Sequence, residues 1–406
     1  MNMNRKKSNG GIKHYSCLFF ALMTILSYYG YGFASFAFII PIFLFFIVYK
    51  NRGKLSFVYP KMIVFYFLYF AFTRILCNIG VSTTEMIAPS ILYIFLLFGF
   101  LLYETDYETC LKYYRYVVDI NMGLFFIQEI VVSLFNIRIL GIFSFLPLST
   151  EFNLESMMNA ERSSGFFSEP AHMAQFMLPI TSIYLLDKDV KRKWRGFLYA
   201  SVLIMTFSGN AVLGLSIIGL FFCAYLFSNL HPIVTILSVS ILSIIICVFM
   251  GWFISTEKGE ALYNRQSEIN SDEIRYSSGF ERLFRMYYVY DEFTTAEKIF
   301  GLNSNTELKR RIQNSQINHL FHTKDDIYMN GFQTILVYTG WVGVFLFGCA
   351  LMYLWQGNSL SGKCCIAIYI VLLFIACVFW SYTMILYLLP AIQQKMIYSK
   401  VRLLKF

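Results

Sequence analysis

Arg162, Glu169 and His172 fall within one stretch, Arg162-Ser-Ser-Gly-Phe-Phe-Ser-Glu-Pro-Ala-His-Met173, in a chain that is otherwise largely apolar. A cation, a carboxylate and an imidazole in one place are what a group transfer involving phosphate needs. The cation holds the phosphate, and the other two handle the proton. The backbone of the stretch also reads as a loop-to-helix junction, with Ser168 as N-cap, Glu169 in the first turn and Pro170 near the helix start. That reading accounts for neither Arg162 nor His172.

A second set of charges lies in the polar segment 255–327: Arg265, Arg275, Arg282, Arg285, Lys309, Arg310 and Arg311, interleaved with Glu and Asp. Taken singly, each reads as a solvated charge or a lipid headgroup contact. As a set facing Arg162, Arg275 and Arg282 would hold a diphosphate without a metal, because guanidinium pairs bidentately with phosphate oxygens. Arg265 is a further candidate. Phe280, Leu283, Phe284, Tyr287 and Tyr288 recur at helical spacing and predict an amphipathic helix over 279–294. It would lie on the membrane surface or cap a bundle, with Arg282 and Arg285 flanking its apolar stripe. His319 and His322, followed by Asp325 and Asp326, match no strong zinc spacing. There is no P-loop, no dinucleotide fingerprint and no serine nucleophile elbow. No metal and no cofactor is expected.

The elements that must carry these residues are membrane helices. The chain is 57% hydrophobic and 14% charged, against about 25% charged in soluble domains. The expected fold is an all-α polytopic membrane protein: one integral membrane domain over 1–406, with about twelve transmembrane helices. The apolar runs are 15–29, 33–49, 60–79, 87–103, 116–135, 171–186, 196–207, 211–227, 233–254, 328–355, 364–380 and 384–397. The first two read as a tight hairpin about Gly30-Tyr31-Gly32, and the seventh and eighth as another about Ser208-Gly209-Asn210. The segment 104–115 reads as a short mixed-charge loop. The run after it is less pure, carrying Asp119, Asn121, Gln128 and Glu129, and Arg74 lies near the far end of the third run. Acids inside a membrane usually face a bundle interior or a water-filled cavity. Asp119 reads as an interface residue, whereas Glu129 is open to a structural or a functional role.

A net charge of +9 does not point to nucleic acid, because the basic residues cluster in short loops, where they set orientation. An alternation starting inside puts 50–54, 112–115, 188–195, Lys363 and the 395–405 tail on the cytoplasmic side, with both termini. The long loops 136–170 and 255–327, bearing short helices, then lie outside. The first apolar run lacks a small-residue cleavage site, so no cleavable signal peptide is expected. The nine cysteines form no C-x-x-C pair and fall mostly in apolar runs, which argues against a disulfide framework or zinc site. No internal repeat is visible, which weakens a transporter built from duplicated halves.

The order of parts resembles the Wzy-type O-antigen polymerases, relatives of the O-antigen ligases. The resemblance rests on Arg162-Ser-Ser-Gly165 with Phe167-Ser-Glu-Pro170, on Phe207-Ser-Gly-Asn-Ala211, on Ile299-Phe-Gly301 in the Arg-bearing loop, and on Asn330-Gly-Phe followed by Gly340-Trp-Val-Gly343. It implies a metal-independent inverting glycosyltransferase on the outer, periplasmic face of the bacterial cytoplasmic membrane. Donor and acceptor would be oligosaccharides on undecaprenyl diphosphate, and membrane lipids and a chain-length regulator would be partners. Arg162 with Arg275 or Arg282 would hold the diphosphate. Glu169 would be the base or orient the acceptor hydroxyl, with His172 as the alternative; Arg265 and Asn330 are further candidates. The ligases carry His, ten intervening residues, then Gly; Met329 stands at that spacing before Gly340, which favours polymerase over ligase. Some polymerases carry Arg, ten intervening residues, then Gly, and no Arg here has that partner. A ligase remains one alternative. A lipid-oligosaccharide flippase is another, although it should scatter its charges along an internal cavity rather than at one face.

Overall fold

Within the described residues the apolar runs fold as helices packed side by side, because a backbone inside a membrane must satisfy its own hydrogen bonds. The computed structural model describes residues 10–31, 34–81, 83–143, 145–149, 162–227, 283–316, 327, 329–398 and 403–405. α1 (Gly10–Leu26) and α2 (Phe36–Arg52) form the expected hairpin, closed by two short antiparallel strands, β1 (Gly30–Tyr31) and β2 (Ala34–Ser35). β3 (Val58–Pro60) leads into α3 (Lys61–Asn78), α4 (Thr83–Ile87), α5 (Pro89–Glu104) and α6 (Tyr107–Phe135). After the first long loop come α7 (Pro170–Leu186), α8 (Trp194–Met205) and α9 (Gly209–Phe227). The second loop contributes α10 (Arg285–Asp291), α11 (Thr295–Phe300) and α12 (Asn305–Asn314). α13 (Gly331–Trp355), α14 (Leu360–Ile375) and α15 (Tyr382–Tyr398) follow, and β4 (Leu403–Lys405) pairs with β3.

Among the described residues, five helical stretches are long and apolar enough to cross a membrane: Lys61–Asn78, Glu85–Glu104, Tyr107–Phe135, Gly209–Leu226 and Gly331–Trp355. Gly10–Leu26, Trp194–Met205 and Leu360–Ile375 are apolar but shorter. The expected run 233–254 lies outside the described residues. Phe43, Phe46, Phe65, Phe72, Leu134 and Phe345 stand exposed on the outer faces of these helices. An apolar surface of that extent is what lipid covers. α7 is the central helix, with 15 of its 17 residues buried.

Three bends in the bundle are repaired in the same way. A proline inside a helix removes one amide and frees the carbonyl four residues back. Pro179 frees Gln175 O, which accepts the Tyr387 hydroxyl of α15 at 2.9 Å. Pro41 frees Ala37 O, which accepts the Tyr93 hydroxyl of α5 at 2.7 Å. In α13 the chain breaks helical geometry at Gly340 (φ 62, ψ −169), where a Cβ would overlap Ile299 O. The Tyr69 hydroxyl lies 3.2 Å from the preceding carbonyl, Thr339 O. In each case a neighbouring helix supplies the donor that water cannot.

Polar contacts mark two ends of the bundle. One end holds Lys13–Asp106, Arg52–Glu104, the β3–β4 pair, and Asp187 with Tyr107 and Gln394. The opposite end holds the α1–α2 turn, the start of α7, the α8–α9 turn, the C-terminal end of α3, and the start of α13 against the end of α14.

Three expectations need correction. Residues 107–115 are not loop: α6 begins at Tyr107, N-capped by Asp106, whose Oδ1 accepts from Thr109 N at 3.2 Å. The charges there sit on the first turns of a helix that continues beyond its apolar stretch. The helix predicted over 279–294 is described only from 283 and ends at Asp291. Its buried side is Met286, Val289, Tyr290 and Phe293, while Phe284 and Tyr288 are exposed and Arg285 is 1% exposed rather than flanking a stripe. At the start of α7 the N-cap is Glu169, with Pro170 at the first helical position; Ser168 lies one residue before it.

Candidate functional site

The stretch before α7 has no strand or helix to satisfy its backbone, and two amide side chains of α6 do so instead. Gln128 Oε1 accepts from Ser164 N at 3.2 Å and Gly165 N at 2.8 Å, and its Nε2 donates to Gly165 O at 3.1 Å. Asn121 Oδ1 accepts from Phe166 N at 2.8 Å. Gly165 adopts a left-handed conformation (φ 60), and a Cβ there would overlap Asn121 Oδ1, so the clamp requires glycine. Two of the four residues that make the expected fifth span less pure, Asn121 and Gln128, are therefore the supports of the Arg162–His172 stretch.

Held this way, the stretch presents two exposed charges and one half-buried imidazole. Arg162 is exposed, and its Nη1 donates to Phe207 O at 2.7 Å. Phe207 itself sits at φ 48, uncommon for a bulky residue, in the turn that opens α9. Asn210 Nδ2 donates to Ala171 O at 3.5 Å, so the Phe207–Asn210 turn lies against the start of α7. Glu169 is exposed and its carboxylate caps no amide of the helix. Three residues on, His172 Nδ1 lies 3.1 Å from the Tyr28 hydroxyl and 3.1 Å from Ser168 Oγ. Tyr28 is buried, and burial pushes its phenol well above the usual tyrosine range.

Arg162, Glu169 and His172 thus all lie at the same end of the bundle. Arg275 and Arg282, assigned to the diphosphate from sequence, and the further candidate Arg265 lie outside the described residues, as do His319, His322, Asp325 and Asp326. Asn330 is the N-cap of α13: its side chain accepts from Gln333 N at 2.8 Å and donates to Phe374 O at 2.9 Å. Its geometry is that of a capping residue. Arg310 and Arg311 pair with Glu307 at 2.7 and 3.1 Å, and Arg311 also with Glu297 at 2.7 Å. Burial works to raise the Glu307 carboxyl, but hydrogen bonds from Arg310 and Arg311 outweigh it and leave its pKa lowered. Asp119 is bound to Arg195 at 2.5 Å and Tyr199 at 2.6 Å, while Glu129 is half-buried. Among the described residues no group of three His, Cys, Asp or Glu could hold a metal ion.

A second polar cluster at the same end escaped the sequence reading. Arg74, near the end of α3, is 4% exposed. Its Nε donates to Glu85 O at 2.7 Å, Nη1 to Asn303 Oδ1 at 3.1 Å and Asn305 Oδ1 at 3.4 Å, and Nη2 lies 3.7 Å from Glu85 Oε2. Glu85 in turn accepts from Asn305 N at 2.8 Å and Thr306 Oγ1 at 2.5 Å, closing the start of α12. Asn78 and Thr73 bind Asn303 from the other side. The cluster fastens the second loop to α3 and to the Gly340 bend. Nothing in the separate runs around 74, 85 and 303 signals that they meet.

No protein-family model matches the chain, and no curated protein matches it significantly. What the site can do must therefore be argued from its chemistry. An exposed guanidinium, an exposed carboxylate and an imidazole with a hydroxyl-bonded nitrogen, set at the end of an apolar bundle, can bind an anion and move a proton beside it.

Proposed function

We propose that this chain is a polymerase of lipid-linked oligosaccharide repeat units. It would act on the outer face of a bacterial cytoplasmic membrane and transfer glycan from undecaprenyl diphosphate to a repeat unit on the same carrier, with inversion at the anomeric carbon. The observation that carries the reading is the placing of Arg162, Glu169 and His172 at one end of an apolar helical bundle. A substrate with a lipid tail, an anionic diphosphate and a sugar hydroxyl matches each part. The bundle meets the lipid, the guanidinium holds the phosphate, and the carboxylate takes the proton.

About twelve spans with both termini inside is part of the same proposal. Its support is the distribution of basic residues: Lys13, Arg52, Lys188, Arg192, Lys193, Arg195 and Lys363 all lie toward the end of the bundle opposite Arg162. In the reaction the acceptor hydroxyl oxygen bonds to the anomeric carbon as the bond from that carbon to the diphosphate oxygen breaks. Undecaprenyl diphosphate leaves with the electron pair, and the hydroxyl proton passes to Glu169. Arg162, joined by Arg275 or Arg282 from the second loop, neutralises the departing diphosphate, and no metal is required.

Deleting the gene in its host and displaying surface polysaccharide on a gel tests the reading. Loss of the ladder with a single capped repeat unit surviving is the expected outcome. Loss of all polysaccharide on its final anchor points instead to a ligase or a flippase. For the residues, Glu169→Gln and Arg162→Ala should each collapse chain length at unchanged protein level; wild-type ladders from both would refute the assignment.

A further inference from the structure

The chain that leaves α6 is apolar where a solvent loop would be polar. Between Asn136 and Pro147 the polar side chains are Arg138 and Ser144; the rest are aliphatic, aromatic or glycine. Its backbone is pinned to the bundle. Phe143 N donates to the Tyr29 hydroxyl at 3.1 Å, Gly30 N to Pro147 O at 2.9 Å, and Ser149 N to Tyr28 O at 3.1 Å. Ile142 is buried, and Gly141 lies so close to Gly165 that a Cβ would overlap the Gly165 carbonyl oxygen. With that side turned inward, Ile137, Ile139, Phe143 and Phe145 stand exposed, Phe145 by 79%. Apolar side chains held outward by a fixed backbone call for a surface that covers them.

The helix before them indicates which surface. Tyr116, Ile120, Ile127, Ile130 and Leu134 are exposed at helical spacing, an apolar stripe down a helix long and apolar enough to cross a membrane. The apolar part of α6, 116–135, measures about 30 Å at about 1.5 Å per residue, which is about the hydrocarbon thickness. Asn136 therefore falls at the boundary with the headgroups, and Ile137 and Ile139 continue the exposed stripe directly. Irregular backbone is excluded from among lipid tails but tolerated at headgroup level, where water reaches its amides. Arg138 suits that level, since a guanidinium can stay among headgroups while its neighbours reach down. Tyr31 of β1, on the same turn that Leu148 pairs with through Tyr29, adds an exposed aromatic of the interfacial kind.

We propose that Ile137, Ile139, Phe143 and Phe145 form an interfacial anchor, seated in the headgroup–acyl boundary of the leaflet at the Arg162 end, with phospholipid acyl chains as its partner. Through the contact of Gly141 with Gly165, the anchor fixes the depth of the clamped stretch before α7 relative to the membrane surface. A sugar-stacking platform would set polar groups beside its rings, whereas the exposed neighbours of Phe143 and Phe145 include two isoleucines. The anchor requires a membrane around the bundle and is independent of the reaction the chain performs.

Photo-crosslinking of the full-length chain in cell membranes tests this. Benzoylphenylalanine replaces Phe145 or, in a separate variant, Ile139, with Leu134 as the lipid-facing control and Arg310 as the solvent-facing one. After irradiation, phospholipid adducts at Phe145 and Ile139 should come within about 3-fold of those at Leu134 and exceed those at Arg310 by about 10-fold, because an interfacial side chain lies among acyl carbons. Yields at both positions no higher than at Arg310 overturn the anchor. So do adducts confined to glycan or to another protein. A second measurement avoids the bulky crosslinker: Phe145→Trp in nanodiscs, read as the emission added to that of the wild-type chain. The added emission should be quenched more by lipids brominated high on their acyl chains than by lipids brominated near the chain ends. Emission that neither lipid quenches overturns the proposal.

Discussion

Arg74 and Arg162 stand at the same end of the bundle and do opposite things. Arg74 is buried, and the donors of its guanidinium are turned toward Glu85, Asn303 and Asn305 of the same chain. Arg162 is exposed, its Nη1 tied to a main-chain carbonyl that aims the head without neutralising its charge. An arginine that is paired and buried works for the fold, since its charge is spent on a partner that would be stranded without it. An exposed arginine aimed by a main-chain carbonyl presents its charge at the surface rather than in the core. The acids differ as well: Glu85 reaches Arg74 and binds the start of α12, whereas Glu169 is exposed and caps no amide of α7.

The largest effect should come from emptying the Arg74 cluster. Arg74→Ala strands the buried Asn303 side chain and the groups around it, and each buried group left unsatisfied costs about 1–3 kcal/mol. The amount of protein recovered from membranes and its thermal unfolding in detergent should both fall sharply, while any surviving molecules keep their chain-length behaviour. Stable Arg74→Ala protein with a lost ladder would reverse the comparison and move Arg74 into the site. Next comes Tyr387→Phe, which strands the carbonyl that Pro179 frees. A buried unsatisfied group costs about 1–3 kcal/mol, readable as a lowered Tm, and the loss should vanish when Pro179→Ala restores the amide. Arg162→Ala should leave Tm nearly unchanged, because an exposed side chain contributes little to stability. A large drop would show that its bond to Phe207 is structural.

The smallest effect belongs to Glu307. Its folded pKa is lowered, so the stabilisation is present above the ordinary glutamate value and is lost as pH falls through the folded value. Glu307→Gln should remove that dependence with a shift of at most about 0.5 kcal/mol, the worth of a solvent-screened i,i+4 pair. Tm measured between pH 3 and 7 for both proteins checks it.

Legibility in the sequence followed the range of the interactions. The apolar runs gave the helices because spanning length and hydrophobicity are local properties, and Gly30 and Gly340 mark places where the chain departs from a straight helix. The start of α6 was misread since Glu104, Asp106, Glu108 and Lys112 look like loop charges until Asp106 is seen capping Thr109. The buried side of α10 was displaced because 279–294 is so rich in aromatics that two different faces satisfy helical spacing. Only packing chose Met286, Val289, Tyr290 and Phe293. The Arg162 stretch was visible because its three ionisable groups are neighbours in sequence. Tyr28 was not, being one of 29 tyrosines, and neither were Asn121 and Gln128, whose role is to bind backbone more than thirty residues away.

The brevity of α7 bears on how far a substrate of the proposed polymerase would descend. Its 17 residues span about 25 Å at about 1.5 Å per residue, against a hydrocarbon thickness of about 30 Å. A lipid-facing helix so short would strain the bilayer around it, but α7 is wrapped by its neighbours and lipid never meets the mismatch. In the proposed polymerase that shortfall would set Glu169 and His172 a few ångströms below headgroup level, where a sugar carried on a polyprenyl chain is held and a free sugar in solution is not.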